Sequence, residues 1–405
     1  FRQANPDAFI IEHYVGATSS GGGHHAVMRR IMEEIRNRYN LEEAVPTTPD
    51  TLEREFPAWL AKVQHEPLTL LFDALNQLTD SSSALRWMPR RFPSNIRIFI
   101  STVEGETLEA VRRNNWPELH LNLLREAERD QLIQHYLGQF RKALSGEQRA
   151  RITGDPKSAN PLFLRTVLEE LRVFGSFEGL DERIEYYVTA RDVGDLFQRL
   201  LARMEEDYSR HVVQEVMSLI WASRRGLAES EILEVAGISR VDLSTLLLAL
   251  EYQFMHRDGL LDFYHNFLRA AVEERYLPPP APGADPASGT SLGGSQQATH
   301  LRIADYFQQR STTARKADEL PYQLQRAGAT ERLELAIADI PLFLEFTHSD
   351  KEYELIGYWL SVGELGRMEE AYRRSMADYE ARVSSPEQRA RAFAGLGDFL
   401  MKSGR

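Results

Sequence analysis

Two short, almost wholly apolar runs, Leu68-Thr69-Leu70-Leu71-Phe72 and Ile96-Arg97-Ile98-Phe99-Ile100, constrain the fold of this chain more than any other feature. Runs of this length, ending in polar residues, read as strands buried in a parallel sheet. They end at Asp73 and at Ser101-Thr102. A third run, Phe9 to Val15, is rich in β-branched and aromatic residues and leads into the Gly/Ser-rich stretch Gly16 to Gly23, which has loop chemistry. Between the strands, Ala26 to Tyr39 carries Val27, Ile31 and Ile35 at helical spacing, and Leu52 to Val63 is a second amphipathic stretch. Strands alternating with helices predict an α/β sheet, and ligands of such sheets bind beyond the carboxyl ends of the strands. Asp73, Ser101 and Thr102 are placed at those ends.

After about Leu119 strand-like runs nearly disappear. Helical periodicity runs through Leu123 to Leu144, Pro161 to Phe174, Val193 to Tyr208 and Val212 to Ser223, then Glu229 to Ala236 and Arg240 to Tyr252. Two short runs, Phe254 to Arg257 and Leu260 to Tyr264, flank Asp258-Gly259, a strong hairpin signal. Three helices followed by a hairpin predict a winged helix. Pro278 to Gln297 has no periodicity and is dense in Pro, Gly, Ser and Ala, so it reads as a disordered linker. Helical patterning returns at Thr299 to Gln309, Ala317 to Ala327, Glu331 to Ala338, Lys351 to Leu360 and Met368 to Tyr379, an all-α bundle or solenoid. The last stretch, Glu387 to Arg405, reads either as the first helix of a tetratricopeptide (TPR) type repeat or as a terminal amphipathic helix.

Composition narrows the chemistry. With 405 residues the chain should hold two to four folded units, at roughly 150 residues per domain. Sixty acidic against 48 basic residues, a net charge of −12, argue against a polyanion as the main partner. The third helix of the expected winged helix is largely aliphatic, with Arg240 set against Asp242 and Glu251, so it reads as an intramolecular clamp and not a nucleic-acid reader. The absence of cysteine removes disulfides, thiolate zinc sites and thiol nucleophiles. Apolar runs fall far short of the roughly 20 residues a membrane helix needs, and Phe1 to Asp7 is not a leader. The expectation is a soluble, cytoplasmic protein without membrane contact.

Among candidate sites, a carboxylate at the exposed end of a buried strand can hold the water shell of Mg²⁺ beside nucleotide phosphates, since the hard cation takes oxygen ligands. Asp73 is so placed, and a turn-capping aspartate remains the alternative. Ser101 and Thr102 can sense a terminal phosphate or cap the next helix. His24-His25 lacks a third metal ligand at recognisable spacing, so it reads as part of a polar loop. No G-x-x-x-x-G-K-[ST] occurs anywhere; neither Gly21-Gly22-Gly23 nor Gly154-Asp155-Pro156-Lys157-Ser158 supplies that spacing.

Taken together, LLFDALNQL, Trp87-Met88-Pro89, IRIFIST, LREAERDQLIQHYL, SANPLFLRTVLEELRVFGSFEGLDERI and FYHNFLRAAVEERYL resemble the STAND class of P-loop NTPases. The similarity is to NACHT-like ATPases of the group containing nephrocystin-3 and telomerase-associated protein, commonly joined to repeat arrays. It runs from about Phe9 to Leu277, with DELPYQLQRAG at Asp318 to Gly328 resembling the helical region that follows. The resemblance implies an α/β plus all-α fold: an incomplete P-loop core over 1–121, a helical subdomain over 122–211, a winged helix over 212–277, the linker over 278–297 and a TPR-like helical region over 298–405.

It also implies roles. Asp73 matches the Walker B acid and water-mediated magnesium ligand, and Asn76 stands where a second acid often sits, which implies slow hydrolysis. Ser101 and Thr102 match the phosphate sensor, and Pro161, after Asn160, matches the proline that packs on adenine; a helix-first-turn proline is the alternative. His265 matches the winged-helix histidine that reaches the β-phosphate in the closed ADP state, with Asn266 in place of a common acid. The phosphate-binding loop would lie just before the segment matching Phe9 to Val15, so this chain alone is expected to hold ATP, ADP and magnesium weakly or not at all. The functional expectation is a regulatory ATPase switch that forms a homo-oligomer with ATP and meets protein partners through C-terminal repeats. The alternative is a non-enzymatic scaffold that keeps only the fold.

Overall fold

In the computed structural model the chain forms two compact units, Phe1–Asn122 and Leu123–Arg405. Residues 8–15, 23–46, 49–63, 66–78, 85–175, 178–278, 293–348, 351–363 and 365–402 are described. Most of the Gly16 to Gly23 loop and most of the expected linker lie outside them.

The first unit contains β1 (Phe9–Tyr14), α1 (His24–Tyr39), α2 (Pro49–Ala61), β2 (Leu68–Asp73), β3 (Ile96–Ile100) and α3 (Glu106–Arg113). The strands form a parallel sheet in the order β1-β2-β3, with Ile11 opposite Leu70 and Leu70 opposite Ile98. Side chains alternate across each strand. Phe9, Ile11, Leu68, Leu70 and Phe72 are buried against Val27, Ile31 and Ile35 of α1 and Leu52, Phe56, Trp59 and Leu60 of α2. The expected parallel strands are therefore present, but only one face is deeply covered within this unit: Thr69 and Leu71 are half-buried and Phe99 is 59% exposed. Trp87 closes one end of the core, its ring 6.2 Å from Phe56 and 6.3 Å from Phe72.

The second unit is almost wholly helical. It continues with α4 (Glu126–Gln139), α5 (Gly146–Gly154), α6 (Pro161–Val173), α7 (Leu180–Val188), α8 (Val193–Tyr208), α9 (Arg210–Ala222), α10 (Glu229–Ala236) and α11 (Arg240–Ala249). A hairpin of β4 (Phe254–Arg257) and β5 (Leu260–Phe263) follows, then α12 (Asn266–Tyr276). Helix starts obey local capping: Ser145 and Gln148 form a capping box on α5, Asp192 accepts from the Asp195 amide on α8, and Ser239 accepts from the Asp242 amide on α11. The antiparallel hairpin turns at Asp258 and Gly259, whose φ values of 50° and 79° explain the Asp-Gly signal. Gly226 has no substitute here, because a Cβ on it would stand 2.4 Å from the Leu261 carbonyl oxygen. That close approach lets Leu227 and Leu261 exchange backbone hydrogen bonds and tie the hairpin to the chain before α10.

The chain then forms α13 (Gly293–Gln308), α14 (Ala314–Arg326), α15 (Thr330–Ala338), α16 (Ile340–His348), α17 (Glu352–Val362), α18 (Leu365–Arg382) and α19 (Pro386–Lys402). Gly293 to Gln297, read from sequence as linker, are helical. Tertiary contacts override the local composition there: the Gln296 amide donates to the Leu277 carbonyl at 2.6 Å and the Gln297 amide to that of Ala327 at 2.8 Å. One continuous apolar core runs from Ile133 to Phe399. Phe399 packs edge-on against Phe343 and Tyr372, which fixes α19 to the helices before it. No helix of the described residues is long and apolar enough to cross a membrane.

Candidate functional site

The carboxyl edge of the sheet brings Asp73 and Ser101 together. Both stand at the carboxyl ends of paired strands, and parallel pairing of β2 with β3 sets Phe72 beside Ile100, so the residues after them meet. The Ser101 hydroxyl donates to Asp73 Oδ1 at 2.5 Å and accepts from the Ala74 amide at 2.8 Å. The Ser101 amide donates to the Phe72 carbonyl at 2.9 Å, and the Leu75 amide to the Ser101 carbonyl at 3.0 Å. Ala74 takes a left-handed conformation, φ 55° and ψ 43°, unusual for a residue with a side chain. One serine thus orients the acid and stabilises the turn that follows it. Asp73 itself is exposed, and a carboxylate so placed is suited to a hydrated divalent cation.

Asn76 is half-buried in the 3₁₀ turn Leu75–Gln77. Its amide can hydrogen-bond but cannot take up a proton as a carboxylate base would. Thr102 is half-buried, and its hydroxyl donates to the Val103 carbonyl at 3.2 Å. The following helix α3 is capped by Gly105 without a side-chain bond, so Thr102 does not serve as its cap.

In the second unit, Pro161 is exposed at the first position of α6, and Asn160 Oδ1 accepts from the amides of Leu162 and Phe163 at 2.9 and 3.3 Å. The fixed φ of proline and the Asn cap account for the helix start on local grounds. Arg165, one turn on and on the same face, is also exposed. His265 precedes α12 as its N-cap, accepting helix amides only through its backbone carbonyl. Its ring is half-buried and meets the Tyr264 ring edge-on at 4.6 Å. Burial, reinforced by the charge of Arg165, lowers the His265 pKa below the ordinary imidazole value. At neutral pH the ring is therefore an uncharged donor and acceptor beside a permanent cation. Arg165 thus lies within electrostatic reach of the His265 ring.

Sequence spacing missed a third cluster. His24 and His25 open α1 and are not in a loop, and Glu53 of α2 reaches both, with Oε1 at 2.9 Å from His24 Nε2 and 3.0 Å from His25 Nε2. The separation of 28 and 29 residues matches no local motif; only the packing of α1 on α2 creates it.

The fold is a small parallel sheet with an acid and a hydroxyl at its carboxyl edge, followed by a long helical array. In sequence this chain is similar to TPR-containing and NACHT-containing proteins. A TPR repeat-containing protein of Dictyostelium discoideum is 27% identical over 88% of this chain and 24% of its own length. Nephrocystin-3 of Mus musculus is 24% identical over 93% of this chain and 29% of its own, and human NACHT domain- and WD repeat-containing protein 1 is 26% identical over 66% of this chain and 20% of its own. The resemblance read from the sequence motifs is thereby borne out. The chain spans about a quarter of the length of these relatives. A solved STAND protein with a tetratricopeptide repeat sensor from Pyrococcus horikoshii aligns with all of this chain and 57% of its own, at 14% identity and a TM-score of 0.44, a loose likeness. No protein-family model matches the chain.

Proposed function

We propose that this chain is the switch module of a regulatory STAND-type NTPase, in which nucleotide state sets the arrangement of the helical region and its protein contacts. The Asp73–Ser101 pair at the carboxyl edge of the sheet is the observation that carries this reading. Asp73 would hold magnesium through its water shell, Ser101 would fix the carboxylate and Thr102 would stand beside the terminal phosphate. Magnesium, when bound, supplies charge neutralisation for the phosphates. Asn76 supports slow turnover over efficient hydrolysis, since no proton acceptor stands at that position.

On the helical side, Pro161 would pack on adenine and His265 would donate to a phosphate oxygen. The order α9, α10, α11, β4-β5 hairpin and α12 supports a winged helix over 212–277, and α13 to α19 support a TPR-like region that meets protein partners. Assembly into oligomers with ATP would follow from a population shift between closed and open arrangements.

The test is hydrolysis and calorimetric ATP and ADP binding in the full-length protein. Asp73→Ala is expected to lower Mg²⁺-dependent turnover roughly 100-fold or more, since metal positioning supplies several kcal/mol of transition-state stabilisation. Unchanged turnover would remove the catalytic part of the proposal. Absence of nucleotide binding would leave a scaffold with the same fold.

A separate measurement concerns His265. Arg165→Gln is expected to raise the His265 pKa toward the ordinary value of about 6.5, read by NMR titration of the ring protons. The sign for stability follows: with the folded pKa below the unfolded one, the unfolded chain binds the proton more readily, so stability is lost as pH falls from about 6.5 through the folded pKa. Part of that loss should vanish in Arg165→Gln. A His265 titration identical in the two proteins would show that Arg165 does not act on the ring.

A further inference from the structure

We propose that His24, His25 and Glu53 form a binding site for a divalent metal of the zinc class, with three protein ligands and one open position. The site is separate from the acid at the end of β2 and does not depend on nucleotide binding.

Three donor atoms from two helices converge: His24 Nε2, His25 Nε2 and a Glu53 carboxylate oxygen, all within 4.8 Å of one another. Two imidazoles share one carboxylate oxygen, and their ring centroids stand only 3.8 Å apart. Two imidazole nitrogens and one carboxylate, with room for water, are the donor set of open zinc sites. A metal at about 2.0–2.2 Å from each donor would space the donors by about 3.4 Å in tetrahedral geometry, so the present 2.9 and 3.0 Å contacts need to open by only about half an ångström.

The surroundings suit that adjustment. The His24 side chain is only 12% exposed and lies 5.9 Å from the Trp87 ring, which is itself set against Phe56 and Phe72. One ligand is therefore held by the core. Glu53 is half exposed and can move outward to admit the ion. Asp50, one turn before Glu53, adds negative potential on the same side. Bound metal would tie the first turn of α1 to α2 across the buried contact of the two helices.

The test uses the whole chain. Co²⁺ titration should give one equivalent with visible d–d absorption, displaced by Zn²⁺, and Zn²⁺ affinity should be measured against a chromogenic chelator. His25→Gln and Glu53→Gln, both at partly exposed positions, should each weaken Zn²⁺ roughly 100-fold while far-UV circular dichroism in EDTA stays unchanged; loss of even an outer-shell partner costs about 10–100-fold. Zn²⁺ should also raise the melting temperature of the parent chain and not that of Glu53→Gln. Equal Zn²⁺ affinity in the parent and in both variants, or Co²⁺ binding without d–d bands, would overturn the site.

Discussion

Replacing Glu319 by alanine is expected to cost about 3–5 kcal/mol of unfolding free energy, the range for breaking a buried charge pair by removing one partner. Glu319 lies on α14 and is completely buried. Its carboxylate accepts from Arg315 at 2.9 Å, from the Arg224 amide at 3.2 Å and from the Gln323 amide at 2.7 Å. Arg315 in turn bonds Glu231 of α10 and the Gly226 carbonyl, and Gln323 bonds the Ala222 carbonyl at the end of α9. One side chain therefore joins α14 to α9, α10 and the hairpin connection. Alanine would leave the Arg224 amide unmatched and open a cavity, while Arg315 would keep only Glu231. Glu319→Gln retains an acceptor and most of the volume, and mimics the neutral acid that burial favours, so it should cost much less than alanine. Urea unfolding of the three proteins measures both values; equal stability of Glu319→Ala and the parent would show that the network carries no net weight.

The same residue has a pH signature. Burial raises the Glu319 pKa despite Arg315. The folded protein then binds this proton more readily than the unfolded chain. The contribution of Glu319 to stability accordingly grows as pH falls from above the raised pKa toward about 4.3, the ordinary glutamate value. Glu205, held below its ordinary value by Arg275, works in the opposite direction and loses its contribution as pH falls. Glu319→Gln should abolish the first effect and leave the second, so its stability should decline more steeply on acidification than that of the parent.

How much of this was legible depended on whether a signal was local. The strands at Leu68 and Ile96, the hairpin at Asp258-Gly259 and the whole of α8 follow from periodicity and turn chemistry, and the structure has them. Asp73 and Ser101 could be placed at strand ends because parallel strands that alternate with helices leave their carboxyl ends on one edge. Their mutual hydrogen bond could not, since it depends on register. Helix α16 is hard to read from sequence because Ile340-Pro341-Leu342-Phe343-Leu344 is a continuous apolar run, with no polar face to mark its period. The covered and open faces of the sheet were likewise indistinguishable in Ile96 to Ile100, where exposed Phe99 is as apolar as half-buried Ile98 and Ile100. The metal-class cluster needed the crossing of α1 and α2, which no spacing rule encodes. Glu319 looked like one more acid in a charged helix, and only its tertiary partners make it a core residue.

Arg203→Ala should be about as damaging as loss of Glu319, at about 3–5 kcal/mol, and a double-mutant cycle distinguishes the cause. Arg203 of α8 grips both oxygens of Glu170 on α6, at 2.5 and 3.0 Å, where Glu170 is 5% exposed. Tyr187 of α7 donates to the same carboxylate at 2.5 Å, and burial, reinforced by the Glu170 charge and this bond, raises its phenol pKa. Three helices thus meet on one buried anion. Removing the arginine strands that charge, whereas removing arginine and acid together leaves only a cavity and the Tyr187 hydroxyl. The Arg203→Ala/Glu170→Ala variant should therefore be less destabilised than the sum of the single variants, by about 1.5–3 kcal/mol as expected of contacting charges. The consequence extends to the candidate site, because α6 begins with Pro161 and carries Arg165 beside His265. If Arg203 fixes α6, Arg203→Ala should also shift the His265 titration, at a distance from any direct contact. Additive single effects with an unmoved His265 would mean that α6 is held by its apolar face alone.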